Sequence, residues 1–165
     1  MLKKKLFSAH TLVGLSDIKK NPIQGWHEYL AEGNQFLATA ANAFTQQRPA
    51  FTPEILYNLV AMAIEKLIMA LLMKSGNLPY NHTMHDLVAS MEDFLPGRLG
   101  YLGEEIKALD AFQEICDLDS YTITIPDTDE IAKMLALAKK MQTLTIAQTS
   151  DEYFIEEKNH GQEKC

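Results

Sequence analysis

Residues Ile55 to Met73 read ILYNLVAMAIEKLIMALLM, and only three of these 19 side chains, Asn58, Glu65 and Lys66, are polar. A surface helix has one apolar stripe, whereas a helix that is apolar all round is buried or crosses a membrane. The segment is long enough to span a bilayer. However, Glu65 and Lys66 would lie at its centre, where each charge costs about 2.5–3.5 kcal/mol on insertion scales. We therefore predict the central helix of a soluble bundle.

The ends of this helix and the start of the next are marked in the sequence. Thr52 has a side chain that accepts a backbone hydrogen bond at the N-cap, and Pro53 follows at the first helical position. The helix is expected to end near Lys74, because a glycine two residues later favours a helix stop. Thr83 is predicted to cap a third helix in the same way, with Asp86 in its first turn.

Three further segments have the periodicity of amphipathic helices. They are a first helix over residues 26–47, a fourth over about 102–116 and a last one over about 129–145. The stretch 117–126 is predicted to be an extended loop, because its alternating residues would form a strand without a partner. Since the connections are short, we expect antiparallel neighbours. The predicted fold is all-α, an up-and-down antiparallel bundle of four to five helices.

Length and composition are those of one globular domain. The 165 residues, 47% of them hydrophobic, are enough to bury a core without a metal or disulfides. We expect residues 1–25 to form a lead-in, 26–146 the bundle and 147–165 an acidic tail. Two cysteines and no clean apolar run after the first lysines predict a cytoplasmic protein. The net charge of −7 argues against a general nucleic-acid coat protein, because such proteins present basic faces.

Five short motifs, each present once, lie at particular places along the chain. These are a helix led by Trp26, the run AIEKLIMALL at 63–72, Leu78-Pro79-Tyr80, His85-Asp86-Leu87, and the late residues Tyr121 and Pro126. Together they resemble the HEPN family (higher eukaryotes and prokaryotes nucleotide-binding domains), which places a Tyr-Pro pair before its last helix. The resemblance extends over residues 26–141 and is strongest at 59–87.

This resemblance implies an all-helical bundle that often dimerises. It implies a range of roles: ribonuclease toxins, partners of small nucleotidyltransferases, and nucleotide-binding or structural modules. The ribonuclease members resemble one another in an arginine that is followed, after four to six residues, by a histidine. This chain has two arginines, Arg48 and Arg98, and no histidine stands at those positions after either of them. The nuclease motif is therefore absent, and we do not expect an enzyme.

Four residues are candidates for binding a nucleotide or another anion: Lys74, His82, His85 and Asp86. The last three would share one face of a helix. A helix start after a glycine-containing loop presents free N–H groups that suit phosphate, and Lys74 would add positive charge. In the alternative interpretation Asp86 caps the helix, His85 packs partly buried against the second helix, and His82 lies in the loop.

Other chemistry finds little support in the sequence. Three neighbouring ligand-type side chains without a second cluster do not predict a metal site. No phosphate-loop or dinucleotide-binding glycine pattern is present, so no cofactor is expected. From the sequence we therefore expect a non-catalytic interaction module that forms a homodimer through apolar helix faces. The alternatives are a nucleotide-binding protein, the partner of a nucleotidyltransferase in a toxin–antitoxin pair, and a residual ribonuclease that uses histidines outside the family motif.

Overall fold

The computed structural model describes residues 20–112 and 124–150. Within these ranges the helices are α1 (Trp26–Thr45), α2 (Pro53–Lys74), α3 (Met84–Phe94), α4 (Leu102–Lys107) and α5 (Thr128–Ser150), and a 3-10 turn (Ala108–Phe112) follows α4. The described part of the chain has no strand, so the predicted all-α helical bundle is confirmed. Residues 1–19 of the predicted lead-in, most of the predicted extended loop, and residues 151–165 of the predicted tail lie outside the described residues.

Helix α2 is the centre of the bundle, because α1, α3 and α5 all pack against it. Its residues Ile64, Leu67, Ile68 and Leu72 are fully buried. By length and composition α2 is also long and apolar enough to cross a membrane, with a mean hydropathy of 1.9 over its most apolar 18 residues. However, 61% of that stretch is buried inside the protein, and the core helix of a soluble protein can have the same length and composition.

The predicted helix starts at Thr52 and Thr83 are present. The Thr52 side chain accepts a hydrogen bond from the backbone N–H of Ile55 at 3.5 Å, and Pro53 is the first helical residue. The Thr83 hydroxyl oxygen accepts from the backbone N–H of Asp86 at 3.1 Å. Both side chains therefore satisfy backbone donors that would have no partner within the helix.

The two ends of the bundle define the directions of the long helices. At one end, Ile23 donates a backbone hydrogen bond to Met73, and Lys74 reaches the carbonyl of Thr149. At the other end, Phe44 from the end of α1 and Ile131 from the start of α5 line one cleft with the start of α2. Hence α1 is antiparallel to both α2 and α5. Helix α5 runs parallel to α2, because the segment containing α3 and α4 brings the chain back to the starting end.

Helices α1 and α2 approach each other closely at Gly33. A Cβ atom added there would lie 3.0 Å from Cγ of Leu67 and 3.2 Å from the carbonyl oxygen of Ala63. The missing side chain therefore allows the two backbones to pack at this separation.

Helix α4 is shorter than its sequence pattern predicts. It ends at Lys107, and the chain continues in the 3-10 turn up to Phe112, where the first described range ends. The carbonyl oxygen of Leu109 accepts a hydrogen bond from the Tyr57 hydroxyl at 2.9 Å, and the Asp110 side chain bonds to the start of α3. Both bonds connect residues of the 3-10 turn to distant parts of the chain.

Helix α5 is longer at its C-terminal end than predicted. It ends at Ser150, so residues 147–150 of the predicted tail are helical. The hydroxyl of Thr149 donates to the carbonyl of Thr145 one turn earlier, and both residues are buried. Lys74 also donates to the Thr149 carbonyl at 2.7 Å. The last turn of α5 is therefore held by packing against α2, which the local sequence does not reveal.

Candidate functional site

His82 lies in the loop before α3 and contacts the middle of α2. Its Nδ1 atom lies 2.8 Å from Oε1 of Glu65, and its backbone N–H donates to the side chain of Asn81. The His82 ring is well exposed to solvent. A side-chain pair that reaches solvent in this way stabilises a fold by at most about 1 kcal/mol. The contact with Glu65 therefore holds the imidazole against α2 and leaves it exposed to solvent.

His85 is paired with a carboxylate from a distant part of the chain. Its Nδ1 atom lies 2.6 Å from Oδ2 of Asp110, while its side chain is 66% exposed. The sequence interpretation that His85 is partly buried against α2 therefore differs from the structure, in which it lies over the 3-10 turn. A histidine held at Nδ1 by a carboxylate directs Nε2 outward, an arrangement found in general bases and in metal ligands.

Asp110 also caps α3. Its carboxylate accepts hydrogen bonds from the backbone N–H groups of Met84 at 2.9 Å and of His85 at 3.0 Å. Asp110 is only 9% exposed. A negative charge at this position satisfies two of the N–H groups that have no partner within the helix and interacts favourably with the positive end of the helix dipole.

The carboxylate of Asp86 is engaged within the same helix start. Its Oδ2 atom accepts a hydrogen bond from the Thr83 hydroxyl at 2.7 Å. The same hydroxyl oxygen accepts from the backbone N–H of Asp86. Asp86 is therefore part of the cap.

Lys74 lies away from the other three candidate residues. Its Nζ atom donates to the carbonyl of Thr149 and lies 5.3 Å from the centre of the Trp26 ring. It follows Glu65, the partner of His82, by nine residues, which is about 13 Å along a helix at 1.5 Å per residue. The structure thus brings His82, His85 and Asp86 together at the start of α3, while Lys74 packs at the end of the bundle.

The electrostatics of this cluster are dominated by carboxylates. Glu65, Asp86 and Asp110 all lie beside the two histidines or the N-terminus of α3. Since two of these carboxylates already interact with the positive end of α3, a phosphate group would meet negative charge there. Among the described residues, no group of three or more histidine, cysteine or acidic side chains has the geometry to hold a metal ion.

The pKa of the Tyr57 hydroxyl, in the interior behind this cluster, is raised. Burial is the main reason that its pKa rises to about 12, and the negative charge of Asp110 adds to the rise. Its hydroxyl donates to the carbonyl of Leu109, which precedes Asp110. Tyr57 therefore stays neutral at physiological pH and holds the 3-10 turn against α2.

The partners of the histidines, Glu65 and Asp110, were not among the predicted site residues. Asp110 is 25 positions after His85, so no local spacing connects them. One signal was available: Asp110 follows Ile106 by four residues and therefore lies on the apolar side of the predicted fourth helix. A carboxylate in that position needs a buried partner.

A second surface lies on the side of α2 opposite the buried residue Tyr57. Ile55 and Met62 are 42% and 39% exposed, and Leu59 between them is partly buried. Leu59 and Phe36 of α1 line a shallow depression of about 200 Å³. We call Phe36, Ile55, Leu59 and Met62 the α1–α2 apolar surface. Polar residues lie beside it: Lys66 pairs with Glu32 at 2.6 Å, and Glu32, Gln35 and Thr39 also line the depression.

Comparisons of this chain with models of known protein families, with curated proteins and with solved structures gave no match. The resemblance to HEPN domains therefore stays an expectation from the sequence. Of its late Tyr-Pro pair, Pro126 is buried just before α5, and Tyr121 lies outside the described residues.

Proposed function

We propose that this protein is a non-catalytic, HEPN-like interaction module that forms a homodimer through the α1–α2 apolar surface. The observation that carries the proposal is the row Ile55, Leu59 and Met62 on α2. These residues are spaced by four and three, so they form one stripe along the helix. In a surface helix such a stripe faces the core, but α2 already turns its opposite side to the core.

The composition of this surface suits a two-fold contact. Its centre is apolar and includes a methionine and an aromatic ring, which are enriched in interfaces. The Lys66–Glu32 pair at its border gives the polar rim that such interfaces have. In a two-fold dimer the same patch serves both partners, so no second patch is required. A stable contact of this kind buries about 800 Å² on each partner, which requires α1 to take part beside α2.

The test is the mass of the protein in solution. We expect light scattering at micromolar concentration to give twice the chain mass of 18.6 kDa. Met62→Glu places a charge in the centre of the surface, where burial without a partner is costly, and is expected to give the monomer mass. Because Met62 is exposed in the single chain, the variant should keep its helical circular dichroism.

The matched control is Ile146→Glu. Ile146 lies on α5 with a similar exposure of 44%, but it belongs to neither side of the proposed interface. This variant should remain a dimer. A monomer mass for the unchanged protein at micromolar concentration would overturn the proposal, and so would a dimer that Met62→Glu leaves intact.

A residual ribonuclease is a second candidate, and the His85–Asp110 pair is the observation that favours it. The carboxylate orients the imidazole and leaves Nε2 toward solvent, as a general base requires. RNA cleavage by the purified protein that is lost in His85→Ala and retained in His82→Ala would support this function. An absence of cleavage, or cleavage that survives His85→Ala, would refute the ribonuclease function.

The nucleotide-binding alternative stays a prediction from the sequence. The carboxylates around His82 and His85 oppose a phosphate at that position, and Lys74 lies too far along α2 to offset them. A nucleotidyltransferase partner rests on the resemblance to the HEPN family. A thermal-shift screen against nucleotides tests the first alternative, since a ligand at 100 times its dissociation constant stabilises by about 2.7 kcal/mol.

A further inference from the structure

An open cleft lies at the end of the bundle where α1 ends and α2 and α5 begin. It has a volume of about 350 Å³, within the range of about 300–1,000 Å³ that is usual for small-molecule sites. Phe44 and Phe51, both only partly buried, form one side of it. The buried side chains of Leu56 and Ile131 form its floor. The cleft therefore offers an apolar surface of the size of a short hydrocarbon chain.

Arg48 is the only charged residue that lines this cleft in the described part of the chain. Its Nε atom donates to the side chain of Gln46 at 2.7 Å. That bond orients the guanidinium group, and the described residues offer its terminal nitrogens no hydrogen-bond partner. A guanidinium fork of this kind binds a carboxylate through two parallel hydrogen bonds.

The backbone turn that carries Arg48 is held in an unusual conformation. Its N–H donates to the carbonyl of Ala43, and Gln47 between the helix end and Arg48 has a φ of 47°. Glycine is the usual residue at such a helix end, since a side chain is disfavoured at positive φ. The turn directs the chain so that Gln47 and Arg48 both line the cleft.

Three of the acidic groups near the cleft are engaged elsewhere. Asp127 and Glu130 form a reciprocal cap at the start of α5, with both hydrogen bonds at 2.8 Å. Glu54 in the first turn of α2 interacts with the Thr52 side chain, which lowers its pKa. None of these carboxylates lines the cleft. The lining therefore combines an apolar floor with a single positive charge.

We propose that this cleft binds a small amphipathic carboxylate, with its apolar tail against Phe44, Phe51 and Ile131 and its carboxylate on Arg48. The single negative charge of such a ligand matches the single positive charge of the Arg48 guanidinium group. The inference goes beyond the proposed interaction module and does not depend on it, since the α1–α2 apolar surface and the cleft share no residue.

The test is a calorimetric titration of the full chain with octanoate, beside octan-1-ol as the uncharged ligand of the same length. We expect saturable binding of one octanoate per chain. Arg48→Gln should weaken octanoate about tenfold, which corresponds to about 1.4 kcal/mol. The same variant should leave octan-1-ol unchanged. Arg98→Gln, which removes the other arginine of the chain, is the matched control and should bind octanoate as the unchanged protein does.

A second variant tests the apolar part of the cleft. Thr128 is exposed at its edge, so Thr128→Phe fills the cleft without disturbing the core, and both ligands should lose their binding. No saturable octanoate binding at millimolar concentration would overturn the proposal, as would equal losses in Arg48→Gln and Arg98→Gln or full binding in Thr128→Phe. The mass in solution, which tests the dimer, is measured separately, so failure of one proposal is distinguishable from failure of the other.

Discussion

Asp110 connects the 3-10 turn to the start of α3, so its removal tests whether that contact holds this side of the bundle together. The carboxylate accepts from the backbone N–H groups of Met84 and His85 and from the His85 ring. Met84 is buried, so in Asp110→Ala water reaches its N–H poorly. A buried donor without an acceptor costs about 1–3 kcal/mol, while the Thr83 side chain still caps α3 in this variant.

We therefore predict that Asp110→Ala lowers the free energy of unfolding by about 1–3 kcal/mol. Asp110→Asn keeps one acceptor oxygen and should cost about half as much. His85→Ala removes only the exposed ring from the pair, which is expected to cost less than about 1 kcal/mol. A domain of ordinary stability has about 5–15 kcal/mol in total, so the alanine variant should remain folded but clearly weaker.

Urea unfolding followed by circular dichroism measures these differences. The slope of the unfolding free energy against urea concentration should be the same in all three variants, so that a shift in the unfolding midpoint reports a change in stability. The reasoning would be refuted by Asp110→Ala and His85→Ala losing the same free energy, because the carboxylate would then contribute only its solvent-exposed contact with the His85 ring. A large loss in His85→Ala alone would contradict it in the same way.

Three further predictions concern the backbone and the interior. Gly33→Ala should lower stability by about 1 kcal/mol in urea unfolding, because overpacking against Leu67 and a fixed carbonyl outweighs the better helix propensity of alanine; an increase would show that the helices can separate. Gln47→Gly should raise the stability by about 0.5–1 kcal/mol in the same assay, since it relieves the positive φ, and an unchanged or lower stability would contradict this. Tyr57 has a pKa raised from 10.0 to about 12, so the folded state keeps a proton that the unfolded chain loses. Stability should therefore fall as the pH rises from about 10 to about 12; this fall should be smaller in Tyr57→Phe, and an equal fall would refute the assignment.

The helical class and the central role of α2 follow from local patterns. A run of 19 residues with three polar side chains has few alternatives to a buried helix. The caps at Thr52 and Thr83 are equally local, because an N-cap side chain bonds to an N–H two or three residues later. Such features are readable from spacing alone.

The arrangement around the predicted site was decided by contacts between distant residues. His85 and Asp86 were recognised as ligand-type side chains, but the environment of His85 depends on Asp110, which the fold brings from 25 residues away. Lys74 was placed beside them because it precedes the same loop, yet it belongs to the end of α2 and bonds to α5. Proximity along the chain does not give proximity in space here, because the nine-residue loop after Lys74 brings His82 back along α2 to Glu65.

By itself, therefore, the sequence determined the helical class, the caps at Thr52 and Thr83 and the burial of α2, since periodicity and capping are properties of neighbouring residues. Only the tertiary structure decided that α5 lies parallel to α2, that Asp110 caps α3, and that Arg48 lies over an apolar cleft. Each of these depends on which helix faces meet, and that choice is made by the packing of the whole core.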